Sequence, residues 1–374
     1  MIFEVLPKLR SLILSLITGV VIGLLLTINS RSTSYENNNP VSHNNWKLVS
    51  SFQSENDFIG EIGTKISNKF NSIEKGKFFI KFYGPNTLIP NSQIFNAVKA
   101  GKIEFALTTS KIWKGKSSAF ELFNGSPFGP DILTLLSWFY DNEGKKIYES
   151  LYSRFNIHSL PCGITGIVGA GWFNKTIEKT SDLKGLKVAT SGLVSEVYKK
   201  VGAKIVKVNL KNLINAFKLK QIDAVTFSIP LIDKNLDLSK YAKYYYMPGW
   251  NQQSGVIDLI INKQIWGKLG LKSQNVIESI CLATNMEMLS FGEANQFNEL
   301  KNKIIRGAEV KQFGPKVLRL FEKGWKSVAE ENSKIALSPD KQFVLIATLL
   351  FISSLYNLPL AILSSRSFCI FLRL

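Results

Sequence analysis

Histidine occurs only twice in the 374 residues, at His43 and His158, and cysteine only three times, at Cys162, Cys281 and Cys369. Two histidines leave little material for a His-based zinc centre or a Ser-His relay. The cysteines stand far apart and form no CxxC or other metal-ligand spacing. The G-x-S-x-G, P-loop and H-E-x-x-H patterns are missing too. These gaps speak against the common hydrolases, and no enzyme is expected. Acids are also scarce, 28 against 46 bases, which leaves a formal charge of +18. Such a surplus favours anionic partners of some kind. The lysines are dispersed, however, and no recognised module accompanies them, so nucleic acid is not an expected partner.

Apolar residues make up 45% of the chain, enough for a sizeable core. Two apolar runs lie at the ends. Lys8 and Arg10 precede an uncharged stretch from Ser11 to Ile28. This reads either as an export signal or as an uncleaved membrane anchor, with Ser- and Asn-rich residues behind it as a tether. From Phe343 to Leu374 there is no acid and only Arg366 and Arg373. That tail reads as a second membrane segment, a buried helix or a sequence foreign to the rest of the fold. Asn357 and Pro359 interrupt it.

Between the ends, helix and strand alternate. Trp46–Phe52, Lys77–Tyr83 and Ile103–Thr108 read as strands, with helical spacing over Asn56–Ser72 and Ser92–Ala100, the latter ended by Gly101. The same grammar returns at Leu186–Thr190, Val194–Val201, Ile205–Val208, Leu210–Lys220 and Ile222–Phe227. Long helical patterns follow at Ser273–Lys303 and Lys311–Ser333. Alternation of this kind predicts an α/β fold with mainly parallel sheets. Two helix-to-strand units resemble each other, Ala97–Glu104 and Ala216–Asp223, and each leads into hydroxyl residues: Thr108, Thr109 and Ser110 in one, Thr226 and Ser228 in the other. Ligands of open α/β sheets bind beyond the carboxyl ends of strands, so two such units predict two lobes facing a cleft.

The run Thr180-Ser181-Asp182-Leu183-Lys184-Gly185-Leu186-Lys187-Val188 resembles the S-x-x-D-L-K-G-L-K signature of TRAP transporter solute-binding proteins. Lys240 to Trp250, then Leu259 to Lys263, resemble the branch of that family that binds 2-oxo acids. Gly171-Trp172-Phe173, Ser126-Pro127-Phe128-Gly129 and Phe155 through Gly166 extend the likeness to roughly residues 46–335. The resemblance implies a two-lobe periplasmic-binding-protein-like fold with hinge strands and a long connecting helix. Its implied function is an extracytoplasmic receptor that captures a small organic acid and delivers it to a TRAP membrane permease. It also implies a periplasmic location. A lobe one of residues 46–168 plus about 253–290 is expected, with a lobe two of 169–252 plus about 291–337. Residues 1–34 would be the signal or anchor, 35–45 the tether and 338–374 the hydrophobic tail.

The family holds the ligand carboxylate with an arginine fork, at the position of Ala189, beside Thr190 and Ser191. A polar or cationic contact is replaced by Val168. Acidic cation ligands are replaced by Thr226, next to Phe227, and by Gln252. These departures predict weak dependence on the sodium ion that the resemblance implies, with no other cofactor. They also predict poor binding of simple 2-oxo acids, in favour of a less polar or neutral solute or of an acid held by Lys111. Trp113, Trp172 and Trp250 are candidate walls of the cleft, with core packing as their alternative. Cys162, in Leu-Pro-Cys-Gly, reads as a small buried residue without a partner. A degenerate, membrane-tethered scaffold that has lost its ligand is the rival reading; a melting-temperature response to a specific solute separates the two. The branch dimerises through a C-terminal helix, from which this chain departs after about Ala336, so a monomer is expected.

Overall fold

The structure, a computed structural model, describes residues 19–20, 44–52, 59–74, 78–141, 144–209, 212–226, 236 and 238–334. The N-terminal apolar run, apart from residues 19–20, and the tail 338–374 lie outside the described residues. Among the described residues no helix is long and apolar enough to cross a membrane.

The first lobe begins with β1 (Asn44–Ser50), α1 (Ile62–Glu74), β2 (Phe78–Tyr83), α2 (Ile94–Lys99) and β3 (Phe105–Thr108). Helix α1 buries Ile62, Ile66 and Phe70, one face at four-residue spacing. Gly101, at φ 71°, ends the α2 turn in a conformation that glycine adopts without strain. A short 3₁₀ turn at Ser110–Trp113 follows β3, then α3 (Ala119–Phe123), α4 (Ile132–Asp141), α5 (Gly144–Ser153) and β4 (Ile157–Ile164).

The chain then crosses to the second lobe. There it forms β5 (Gly171–Phe173), β6 (Lys187–Ala189), α6 (Gly192–Lys200), β7 (Lys204–Val206), α7 (Leu213–Lys218), β8 (Ala224–Val225) and β9 (Tyr244–Tyr246). The signature around Asp182 is a turn device here. Its carboxylate accepts the Glu178 and Lys179 amides at 2.9 and 2.8 Å, and so shapes the approach to β6. The return strand is β10 (Val256–Asn262), followed by α8 (Lys263–Lys268), α9 (Leu271–Ile305), β11 (Glu309–Lys311) and α10 (Pro315–Lys334).

Two mixed sheets result, ordered β2-β1-β3-β10-β4 and β11-β9-β5-β8-β6-β7. β1 is parallel to both its neighbours, and β6 is parallel to β7 and β8. The antiparallel pairings involve β10 in the first sheet and β5 in the second. All seven residues of β10 are buried, which explains its near-continuous apolar run. The two connections between lobes are stitched where Thr165 N–H donates to the Gly255 carbonyl at 2.9 Å and Gly255 N–H donates to Thr165 Oγ1 at 2.7 Å. Helix α9, at 35 residues, is about 50 Å long. It packs on β4 through Asn285, whose amide donates to the Pro161 carbonyl at 3.1 Å, and brings Leu300 into the core around Trp172 and Tyr245.

Cys162 is buried as expected, but it has a partner. It forms a disulfide with Cys281, tying β4 to α9 across 119 residues of sequence. The partner was invisible in the sequence because only the packing of α9 on β4 brings the two together.

Candidate functional site

Three parallel strands of the second sheet end at one place. β6 runs into Thr190 and Ser191, β7 into Lys207, Val208 and Asn209, and β8 into Thr226. These residues, with the start of α7, line a cavity of about 590 Å³. That size lies within the range of about 300–1,000 Å³ usual for small-molecule sites. The cavity thus sits at the carboxyl edge of the sheet, where open α/β folds bind ligands. Its one contribution from the first lobe is Lys111, on the 3₁₀ turn after β3.

Four of the candidates meet here: Lys111, Ala189, Thr190 and Thr226. The Thr226 backbone amide donates to the Ala189 carbonyl at 3.1 Å, which extends the β6–β8 pairing by one step. The two threonine hydroxyls are 2.6 Å apart, with Thr226 donating to Thr190. Lys111 forms no ion pair among the described residues, although Glu121 is close enough to act on it. Burial pushes its pKa below the usual lysine value; Glu121 works against that shift and Lys114 adds to it. A partly desolvated ammonium over a hydroxyl-lined cavity is a ready partner for an anionic group.

The other candidates lie elsewhere. Trp113 is buried against Phe95, ring centroids 5.1 Å apart. Trp172 packs on Tyr245 at 4.8 Å, with Lys303 Nζ 5.4 Å from its ring. Trp250 is fully buried, stacked on Phe321 at 4.1 Å and flanked by Tyr198 and Phe128. Val168 is buried in the first-lobe core cluster, its carbonyl accepting the Gly249 amide at 2.8 Å. None of the four is among the residues lining this cavity. Phe227 lies outside the described residues.

Gln252 is not a lining residue either. Its amide nitrogen donates to the carbonyls of Asn124 and Ser254 at 2.8 and 2.9 Å, with Asn124 Oδ1 at 3.1 Å. Asn124 in turn donates to the Val256 carbonyl at 2.7 Å. This side chain therefore fastens the loop after α3 to the start of β10. The Thr226 hydroxyl is paired to Thr190 and Gln252 offers one amide oxygen, so these two side chains do not by themselves make a cation cage, which needs several converging oxygen ligands. No cluster of three or more His, Cys, Asp or Glu that could hold a metal occurs among the described residues.

Reading from sequence missed Ser191 as a lining residue and, above all, Lys207, Asn209 and Asn212. The signal was present: these are the polar residues that follow β7, as Thr190 follows β6 and Thr226 follows β8.

Comparison with known proteins concerns the chain as a whole. The sequence profile of bacterial extracellular solute-binding protein, family 7, matches residues 49–334. The chain is 28% identical over 289 residues to a monocarboxylate 2-oxoacid-binding periplasmic protein of Nostoc sp., covering 77% of this chain and 79% of that one. A TRAP transporter solute-binding protein of Bordetella bronchiseptica, solved as a dimer with calcium and picolinate, superposes with a TM-score of 0.77 at 26% identity, covering 88% of this chain and 99% of that one. A TRAP periplasmic solute-binding protein of Colwellia psychrerythraea, solved with calcium and pyruvate, gives 0.77 at 25% identity, covering 87% and 99%.

Proposed function

The chain belongs to family 7 of the bacterial extracellular solute-binding proteins, and from that premise we propose that its cavity captures a small organic acid for hand-over to a TRAP membrane permease. It acts as a receptor, by binding and release, with no chemical step. The observation that carries the reading is the placement of Lys111. The first lobe sends this ammonium to a cavity otherwise built from the strand ends of the second, so an anion between them would touch both lobes. In this reading Lys111 takes the place of the cationic fork, with Thr190 and Thr226 as hydroxyl partners. Lysine meets a carboxylate as a point charge and not as a planar fork, so orientation falls to the hydroxyls. The relatives from Bordetella and Colwellia were solved with acids, picolinate and pyruvate, which supports an acid here.

A Lys111→Met variant tests this. Losing one charge-assisted bond should weaken acid binding about ten- to a hundredfold, from roughly 1.5–3 kcal/mol. Calorimetry with pyruvate and larger 2-oxo acids, with and without sodium, reads it directly. We expect binding that depends on Lys111 and not on sodium. Submicromolar, sodium-dependent binding that survives in Lys111→Met would overturn the reading.

A further inference from the structure

The lobes also meet beside the cavity, through a carboxylate. Glu121 lies on α3 of the first lobe and is only 9% exposed. It reaches Gly192, the first residue of α6 in the second lobe: a Cβ on Gly192 would lie 2.3 Å from Glu121 Oε1 and 3.2 Å from Cδ. The approach is open only because that residue is glycine. Its φ of 67° makes the same demand. Ser191, at the N-cap of α6, makes no side-chain bond to the first-turn amides. The positive end of this nine-residue helix is therefore left to whichever anion comes near. Glu121 Oε1, for its part, has no hydrogen-bond partner among the described residues. Within its own lobe the carboxylate is held only by Lys114, at 3.7 Å.

We propose that Glu121 is an interlobe latch, its carboxylate packed against Gly192 so that its attraction to the amide end of α6, without a direct hydrogen bond, holds the two lobes together before a solute arrives. Burial works first against its ionised form and raises its pKa; Lys114 and Lys111 favour that form, and Glu196, one turn into α6, opposes it. The latch is thus a modest bias that opening must overcome. Solute affinity inherits it, because a receptor already populated in its closed arrangement spends less binding free energy on closure. Nothing in this depends on which solute the cavity takes.

The test uses the full-length, solute-free chain, so failure of the acid-binding reading leaves it intact. Amide hydrogen exchange is followed by mass spectrometry in the wild type, Glu121→Gln and Lys114→Met. Removing the charge from a helix terminus should speed exchange roughly two- to tenfold in residues 192–196 and in 118–124. Exchange in β1–β3 and the melting temperature should stay as in the wild type. Lys114→Met, which keeps the carboxylate but removes one support of its ionised form, should speed exchange in residues 192–196 less than Glu121→Gln does. The proposal is overturned if Glu121→Gln leaves residues 192–196 unchanged, or if Lys114→Met has the same effect as Glu121→Gln. Faster exchange everywhere with a lower melting temperature would equally overturn it, because Glu121 would then support the fold and not the closure.

Discussion

Replacing Asp258 with asparagine should turn a nearly flat stability–pH profile into a rising one between about pH 4 and 6.5. Asp258 is fully buried in β10, facing Thr108 of β3 and Pro161 of β4. Tyr152 Oη donates to its Oδ2 at 2.7 Å, while Oδ1 has no hydrogen-bond partner among the described residues. Burial raises its pKa from 3.8 to about 7, against the opposing pull of Tyr148, Tyr152 and the Ser110 amide. Between those two values the folded protein holds a proton that the unfolded chain has lost, so stability falls as pH rises through the window. At about 1.4 kcal/mol per pH unit the loss is on the order of 4 kcal/mol. His158 works the other way. Stacked on Trp266 at 4.0 Å, it has its pKa lowered from 6.5 to about 4, first by burial and then by Lys145 and Lys263. Its contribution is complete above pH 6.5 and is lost as pH falls towards 4, on the order of 3 kcal/mol. In the wild type the two slopes nearly cancel and the profile is flat. Asp258→Asn keeps the shape of the side chain and an acceptor for Tyr152, but it leaves His158 alone, so stability should rise from pH 4.5 to 6.5. Relative to the wild type, the variant should gain about 3 kcal/mol between pH 4.5 and 8. Denaturant titration of both proteins at pH 4.5, 5.5, 6.5 and 8 reads the difference. A difference that is the same at pH 4.5 and pH 8 would refute the reasoning.

Two further outcomes follow from the packing. The Cys162–Cys281 disulfide closes a loop of 119 residues, so replacing both cysteines with serine should cost about 3–5 kcal/mol, visible as a lower melting temperature that a reductant no longer affects. Trp250, enclosed by Phe321, Tyr198 and Phe128, should cost about 3–5 kcal/mol as Trp250→Ala, and Trp250→Phe should retain most of the stability together with solute affinity. Affinity lost in Trp250→Phe at unchanged stability would instead make it a ligand contact.

What the sequence disclosed follows the range over which each feature is determined. The strands around the cleft were legible because apolar runs and turns are local; the predicted Leu186–Thr190 overruns β6 by one residue at each end. The logic of strand ends found Thr226 for the same reason, while Thr190 came from the family resemblance. It failed at β7 through a boundary error. The predicted strand Ile205–Val208 ends at Val206 in the structure, and the missing step leaves Lys207, Val208 and Asn209 in the loop that lines the cavity. The tryptophans failed differently. An aromatic residue beside a strand end can wall a cleft or enter the core. The rings that decide it for Trp250, Phe321 above all, arrive from 71 residues away (321 − 250).

Charge shows the limit most sharply. The surplus of 18 positive charges says that anions are welcome and nothing about where. Most of those lysines keep their water, and a solvated charge in high dielectric contributes little. Lys111, Glu121 and Asp258 matter because the fold takes water from them, and desolvation is set by neighbours that sequence spacing does not reveal. Tyr152 lies 106 residues before Asp258. Glu121 meets Gly192 from the other lobe, and nothing in Phe120-Glu121-Leu122 distinguishes it from an ordinary surface acid. The apolar pattern therefore carries the fold, while the handful of charges that the fold strips of water carry the site.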